Sequence, residues 1–266
     1  MLLLNPGDPD PWCRHSAGSR FPALVVCDHA SRRMPGSLAD LGLPQEELER
    51  HIAWDIGAAE LARGLAGRLG VAALLSGYSR LVIDCNRHPD DPGSILARSD
   101  GTVVPGNAGL DPRQREARVR EIFDPYHAAI ERELESISAG SGACALISVH
   151  SFTPQFGGRL RPWHCGVLWD LDGRMACPLR DALRTEPGLV VGDNEPYSGR
   201  HPANHTIDAH ATRRGWPHVC IEVRQDLLGT AAGVQAWVAR LGGPLETLLA
   251  DDRLYRASGD DDHRHG

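Results

Sequence analysis

The chain has 266 residues, of which 41% are hydrophobic and 24% are charged, a composition typical of globular proteins. Its formal net charge of −7 argues against a nucleic-acid partner. No segment approaches the roughly 20 apolar residues that a membrane-spanning helix needs, and the apolar start Met1–Leu4 is too short for a secretion signal. We therefore expect a cytoplasmic protein with no membrane partner.

Short apolar segments alternate with helical patterns along the chain, after a lead-in at residues 1–20 that is predicted to be irregular. The predicted strands are 23–27, 71–75, 80–84, 143–149, 166–169, 189–191 and 218–223, and the predicted helices are 44 to about 70, 112–137, 176–184 and 231–250. This alternation favours a single α/β domain over residues 21–252, with a mostly parallel or mixed sheet between two layers of helices. Residues 253–266 are predicted to form a disordered tail.

Two histidines occupy equivalent places in this pattern. His29 and His150 each lie at the predicted carboxyl end of an apolar strand, where ligands of open α/β sheets bind. Catalytic zinc commonly takes three protein ligands, combining histidine with carboxylate, and keeps one open position. Asp55 is the leading candidate for the third ligand, and Asp28 and Asp84 are the alternatives.

A single acidic residue interrupts the last predicted strand. Glu222 lies between Ile221 and Val223, and strand alternation places its side chain on the opposite face from theirs. A buried carboxylate is costly unless it is paired, so one interpretation is an ion pair with Arg224 or Arg200. The other is a general base, which we favour because a glutamate beside an activated water can accept its proton.

Cationic and amide side chains flank the predicted strand 80–84. Arg80 precedes it, and Asn86 and Arg87 follow it. The planar guanidinium group matches a carboxylate bidentately, and asparagine adds donors, which indicates a small anionic substrate. Asp84 and Ser151 are further candidates for substrate contact. A serine hydrolase is disfavoured because the chain has no Gly-x-Ser-x-Gly turn.

These residues occur within motifs that resemble the N-formylglutamate amidohydrolase family, in particular the branch usually called predicted N-formylglutamate amidohydrolases. The resemblance extends from about residue 23 to residue 245. The motifs are His29-Ala30-Ser31, Ala53-Trp54-Asp55-Ile56-Gly57, Tyr78-Ser79-Arg80, Asp84-Cys85-Asn86-Arg87, Val149-His150-Ser151 and Ile221-Glu222-Val223-Arg224-Gln225. The resemblance implies a zinc-exopeptidase-like α/β fold, of the phosphorylase/hydrolase type.

The same resemblance implies roles for individual residues. His29 and His150 would bind one Zn²⁺ ion, and Glu222 would be the general base. Arg80 would polarise the scissile carbonyl, and Asp84-Cys85-Asn86-Arg87 is similar to the Asp-x-Asn-Arg segment with which related deacylases hold the substrate carboxylate. The related peptidases carry His-x-x-Glu at the first ligand pair, whereas this chain has Arg32 three residues after His29.

We therefore expect a zinc-dependent amidohydrolase that cleaves an N-formyl or N-acyl amino acid such as N-formylglutamate. Two alternatives stay open at this point. One is a zinc carboxypeptidase-like hydrolase of small peptides, and the other is an inactive carboxylate-binding protein. The sequence does not distinguish a monomer from a homodimer.

Overall fold

The computed structural model describes residues 2–200 and 204–256. Within these ranges, strands β1 to β11 span Trp12–His15, Ala23–Cys27, Ala72–Ser76, Arg98–Ser99, Thr102–Val103, Ala145–Phe152, Gln155–Phe156, Arg159–Leu160, Cys165–Leu168, Val191–Asp193 and His218–Arg224. Helices α1 to α7 span Gln45–Leu48, Ala58–Leu69, Pro112–Arg118, Asp124–Ser141, Ala176–Arg184, His205–His210 and Ala231–Leu249. Of the described helices, none is long and apolar enough to cross a bilayer.

The larger strands form one seven-stranded sheet in the order β1-β3-β2-β6-β11-β9-β10. Strand β2 runs parallel to both β3 and β6, and β6 runs parallel to β11. Strands β1 and β9 run antiparallel to their neighbours β3 and β11. The sheet is therefore mixed, which confirms the predicted α/β class.

Helices cover both faces of this sheet. Successive strand residues point to opposite sides, and because these residues are apolar in the central strands, each face needs a layer of helices to bury it. Val25 of β2 packs in one core with Leu65 of α2 and Leu241 of α7. The next residue, Val26, packs in a second core with Tyr126 of α4. The protein thus has three layers, and the strands between them are buried on both faces.

The predicted strand at residues 80–84 is wrong, because this buried segment is a series of turns. The Ser79 hydroxyl accepts a hydrogen bond from the Leu81 N–H at 3.1 Å, and the Val82 N–H donates to the Ser79 carbonyl at 3.0 Å. Arg118 of α3 donates to the Val82 carbonyl at 2.8 Å. Side chains and turns therefore satisfy backbone groups that a neighbouring strand would otherwise pair.

Three further predictions differ from the structure. The helix expected from residue 44 to about 70 is split into α1 and α2, because residues 49–57 form turns. The lead-in at residues 1–20 is not wholly irregular, since β1 pairs with β3 at the edge of the sheet. The predicted disordered tail at residues 253–266 is wrong at its start, because Leu254 is buried in the core. Residues 257–266 of the predicted tail lie outside the described residues.

Candidate active site

Three side chains of metal-ligand type meet beside the central strands. His29 follows β2, Asp55 precedes α2 and His150 lies within β6. Asp55 Oδ2 is 3.3 Å from His29 Nδ1 and 2.8 Å from His150 Nδ1. One potential ligand atom from each residue lies within 4.8 Å of the other two, and all three residues are buried. The structure therefore brings together the three predicted metal ligands.

Backbone contacts hold Asp55 in this position. Its N–H donates to the His29 carbonyl at 2.9 Å, and the Ser151 N–H donates to its Oδ2 at 3.3 Å. Gly57 then adopts a left-handed φ of +79°, where a Cβ atom would lie 2.4 Å from Leu228 Cβ. A glycine is needed at this turn so that α2 can begin directly after the aspartate.

The two alternative third ligands lie behind the histidines instead of beside Asp55. His29 Nε2 lies 2.7 Å from Asp84 Oδ1, and His150 Nε2 lies 3.3 Å from Asp28 Oδ2. Each imidazole thus faces Asp55 with Nδ1 and a second carboxylate with Nε2. Carboxylates in this outer position fix the tautomer and the ring orientation of metal-binding histidines.

The charges of this cluster stabilise each other. Burial lowers the pKa of His150, but hydrogen bonds to Asp28 and Asp55 outweigh it and hold that pKa well above its usual value. Burial alone would raise the pKa of Asp55, but the attraction of His29 and the hydrogen bond from His150 hold it below its ordinary range. The neighbouring carboxylates therefore favour the protonated form of His150, and the imidazoles favour the ionised form of Asp55.

Glu222 lies beside His150 in the sheet and is the predicted general base. The two residues are register partners on the parallel strands β11 and β6, so their side chains emerge on the same face. Glu222 Oε2 is buried and has no hydrogen-bond partner among the described residues. The alternative ion pair with Arg224 is not formed, because that guanidinium binds Asp226 at 2.8 Å.

Burial raises the pKa of Glu222, the attraction of His150 opposes it and the nearby Asp55 carboxylate adds to it, and together these bring the pKa to about 7. A carboxyl group that titrates near neutrality can both accept and release a proton at physiological pH. The environment of Glu222 therefore suits a group that moves protons.

The raised pKa predicts a pH-dependent stability change in the metal-free protein. The unfolded chain loses the Glu222 proton near its ordinary pKa of 4.5, whereas the folded chain keeps it until about 7, so the ionisation destabilises the fold increasingly between these values. We expect Glu222→Gln to raise the free energy of unfolding by up to about 3 kcal/mol near pH 8 and to leave it unchanged near pH 4. Urea denaturation at the two pH values, with exposed Glu135→Gln as the control, measures the difference, and an equal effect at both would contradict it.

The cluster opens into a cleft of about 520 Å³ that is lined by cationic and polar side chains. Arg80, Asn86 and Arg87 line it as predicted. Arg80 donates to Asp84 Oδ2 at 2.6 Å, and its side chain remains 28% exposed toward the cleft. Phe156 and Tyr197 form an aromatic wall of the same cleft.

Two residues predicted to contact substrate are already engaged by the protein. Both oxygens of Asp84 are occupied, one by His29 and the other by Arg80, and the residue is buried. The Ser151 hydroxyl donates to the Ile56 carbonyl at 2.8 Å, although the residue lines the cleft. These contacts favour positioning roles for both residues.

Sequence reasoning named Asp28 only as an alternative metal ligand, and it missed Asn204. Asp28 accepts hydrogen bonds from Tyr126 and Thr206 as well as lying behind His150, and its place directly before His29 was the available signal. Asn204 lines the cleft, and nothing in the Gly- and Pro-rich segment that precedes it indicated this.

Comparisons with known proteins find related sequences. The family model described as N-formylglutamate amidohydrolase matches residues 21–229. N-formylglutamate deformylases from Pseudomonas putida and Pseudomonas aeruginosa are 28% and 29% identical over 203 residues, which cover 70% of this chain and 73% and 75% of theirs.

Two solved structures share the fold. A gene product of Agrobacterium tumefaciens is 31% identical, with a TM-score of 0.87 over 93% of this chain and 98% of that one. N-formylglutamate amidohydrolase from Ralstonia eutropha is 20% identical, with a TM-score of 0.71 over 91% of this chain and 97% of that one.

The α/β fold and the family match define this protein as a hydrolase that acts on linear amide C–N bonds. The match covers most of the globular chain, including the histidine of β6 and the glutamate of β11. The chain belongs to the N-formylglutamate amidohydrolase family, which confirms the resemblance found in its motifs.

Proposed function

We propose that this chain is a zinc-dependent amidohydrolase that removes the acyl group from N-formylglutamate or a closely related N-acyl amino acid. The observation that carries the proposal is the convergence of His29, Asp55 and His150 beside Glu222. The names of the two deformylase relatives support the formyl substrate. All seven cysteines are free, and five of them are buried, which supports a reducing, cytoplasmic location.

The residues present fit a zinc ion. Two imidazole nitrogens and one carboxylate oxygen match the ligands of catalytic zinc, and both imidazoles have a carboxylate behind them. His29, Asp55 and His150 would hold the ion. A zinc ion bound there would supply Lewis acidity toward a carbonyl oxygen and would lower the pKa of water.

Asp84 is expected to act on metal affinity through His29. Replacing Asp84 by Asn removes the carboxylate that orients the imidazole, so we expect the zinc affinity to fall by about 10- to 100-fold. Excess zinc should restore part of the activity. A competition titration against a chelating dye measures the affinity, and Asp90→Asn is the matched control because its side chain is 93% exposed. An unchanged zinc affinity in Asp84→Asn would exclude this role.

Glu222 performs the proton transfers in the proposed reaction. It accepts a proton from the attacking water as the water oxygen bonds to the amide carbon. The same proton then passes to the leaving nitrogen as the C–N bond breaks, which yields a carboxylic acid and a free amine. Its burial and its place beside His150 suit both steps.

The cationic groups of the cleft bind and polarise the substrate. Arg80 lies between Asp55 and Asp84, where its guanidinium can donate to the developing oxyanion. Arg87 is 45% exposed at the side chain and can pair with a substrate carboxylate. Asn86 Nδ2 lies 3.4 Å from His150 Nε2, and its N–H groups can donate to a substrate from the same side of the cleft.

A substrate panel tests the proposal. Zinc-loaded protein is assayed with N-formyl-, N-acetyl- and N-succinyl-L-glutamate, with N-formyl-L-aspartate and with small dipeptides. We expect amine release from N-acylated acidic amino acids and little cleavage of the dipeptides. Cleavage of the dipeptides alone would favour a carboxypeptidase, whereas thermal stabilisation by substrates without turnover would favour an inactive binding protein.

A further inference from the structure

One buried acceptor in the cleft has no hydrogen-bond partner in the described part of the chain. Asn204 immediately precedes α6, is only 5% exposed and lines the same cleft as Glu222. Its Oδ1 atom has no hydrogen-bond partner within residues 2–200 and 204–256. A buried amide oxygen without a donor is costly, so its retention points to a donor from a bound ligand.

The side chain of Asn204 lies close to the groups that would carry out the chemistry. It lies near the Cys220 thiol in the lining of the cleft, and Cys220 lies two residues before Glu222 and therefore on the same face of β11. The partners of these two β11 residues on strand β6 are Ser148 and His150. Asn204 thus lies next to the β11 residue that precedes the proposed general base on the same face of the strand.

Neighbouring backbone contacts fix this position. The N–H of His205 donates to the Asn86 carbonyl at 3.3 Å, and the N–H of Thr206 donates to Asn86 Oδ1 at 3.0 Å. The start of α6 is therefore attached to the segment that carries Asn86 and Arg87, and Asn204 is placed between that segment and β11.

A substrate of the proposed class has one hydrogen-bond donor that could pair with Asn204 Oδ1. An N-acyl amino acid at neutral pH carries carboxylates and a carbonyl, which are acceptors, and a single amide N–H. The arginines of the cleft already match the carboxylates. An amide oxygen can only accept, so the group that complements Asn204 Oδ1 is the N–H of the bond to be cleaved.

We propose that Asn204 Oδ1 accepts a hydrogen bond from the N–H of the scissile amide, which holds the leaving nitrogen toward Glu222; this role rests on the proposed function. The contact makes Asn204 a substrate-positioning residue that distinguishes amides from substrates without an N–H. The site then selects secondary amides over the corresponding esters.

The test compares an amide with its oxygen analogue. N-formyl-L-glutamate and O-formyl-2-hydroxyglutarate differ at the scissile N–H, and using the ratio of their kcat/KM values in each protein cancels their different intrinsic reactivity. We expect Asn204→Ala to lower kcat/KM for the amide by about tenfold or more and for the ester by less than about threefold. The ester activity also reports that the variant is folded and loaded with metal.

A second variant distinguishes a hydrogen bond that the Asn204 side chain accepts from one that it donates. Asn204→Asp keeps the size and the acceptor but removes the donor, so its amide-to-ester ratio should stay within about threefold of the wild type. Leu171→Ala, at a side chain that is 90% exposed, is the control for an unrelated substitution.

The outcomes are distinguishable. An amide-to-ester ratio in Asn204→Ala equal to that of the wild type would overturn the role of Asn204 and leave the proposed function intact. A wild-type protein that cleaves no N-acyl amino acid would reject the proposed function and, with it, this role.

Discussion

His150→Ala protein is expected to bind no zinc after purification and to show no measurable amide hydrolysis. The substitution removes one of the three ligands, leaves the buried Asp28 without its imidazole partner and leaves Asp55 with His29 alone. Two remaining ligands do not meet the requirement of a catalytic zinc site. Elemental analysis of tag-free protein, together with an assay for free amine, measures both effects.

The matched control for this variant is His15→Ala. His15 lies on the edge strand β1 and does not line the cleft, so its zinc content and activity should equal those of the wild type. His150→Ala protein that retains one zinc per chain and normal turnover would show that β6 does not supply a ligand.

Glu222→Gln protein is expected to keep its zinc and to lose activity. Glutamine has the size of glutamate but cannot accept the proton of water, and a general acid or base typically contributes about 10²- to 10⁴-fold to the rate. We therefore expect kcat to fall by at least about 100-fold while substrate binding changes little. Stopped assays of kcat and KM, alongside zinc analysis, measure the two properties separately.

Glu135→Gln on the exposed side of α4 is the control for this loss of charge. Normal turnover by Glu222→Gln would exclude Glu222 as the base. Loss of zinc together with activity would instead indicate that the carboxylate helps to hold the metal, which would change the assignment of its role.

The sequence predicted the central strands well because buried parallel strands are short continuous apolar runs. The runs that end near His29, His150 and Glu222 became β2, β6 and β11, which are neighbours in the sheet. Polar residues in such strands are costly unless they are paired or hydrogen-bonded, so an isolated one calls for an explanation, and this made the three residues visible. The family resemblance added the expectation that Arg80 polarises the scissile carbonyl, and Arg80 lines the cleft.

Features that depend on tertiary packing were beyond the sequence pattern. The segment after Ser79 is apolar because it is buried, yet its backbone is satisfied by turns and by Arg118. Asp84 was both an alternative metal ligand and a candidate for substrate contact in the sequence, and the structure places it behind His29. Asn204 carries no local signal, because its burial arises from contacts of α6 with distant segments.

A zinc titration of metal-stripped protein, followed by amine release from N-formyl-L-glutamate, tests zinc-dependent hydrolysis most directly. We predict negligible activity without metal, a linear increase with added zinc and a plateau at one ion for each His29–Asp55–His150 group. Full activity in the metal-free protein, or none at saturating zinc, would contradict the account.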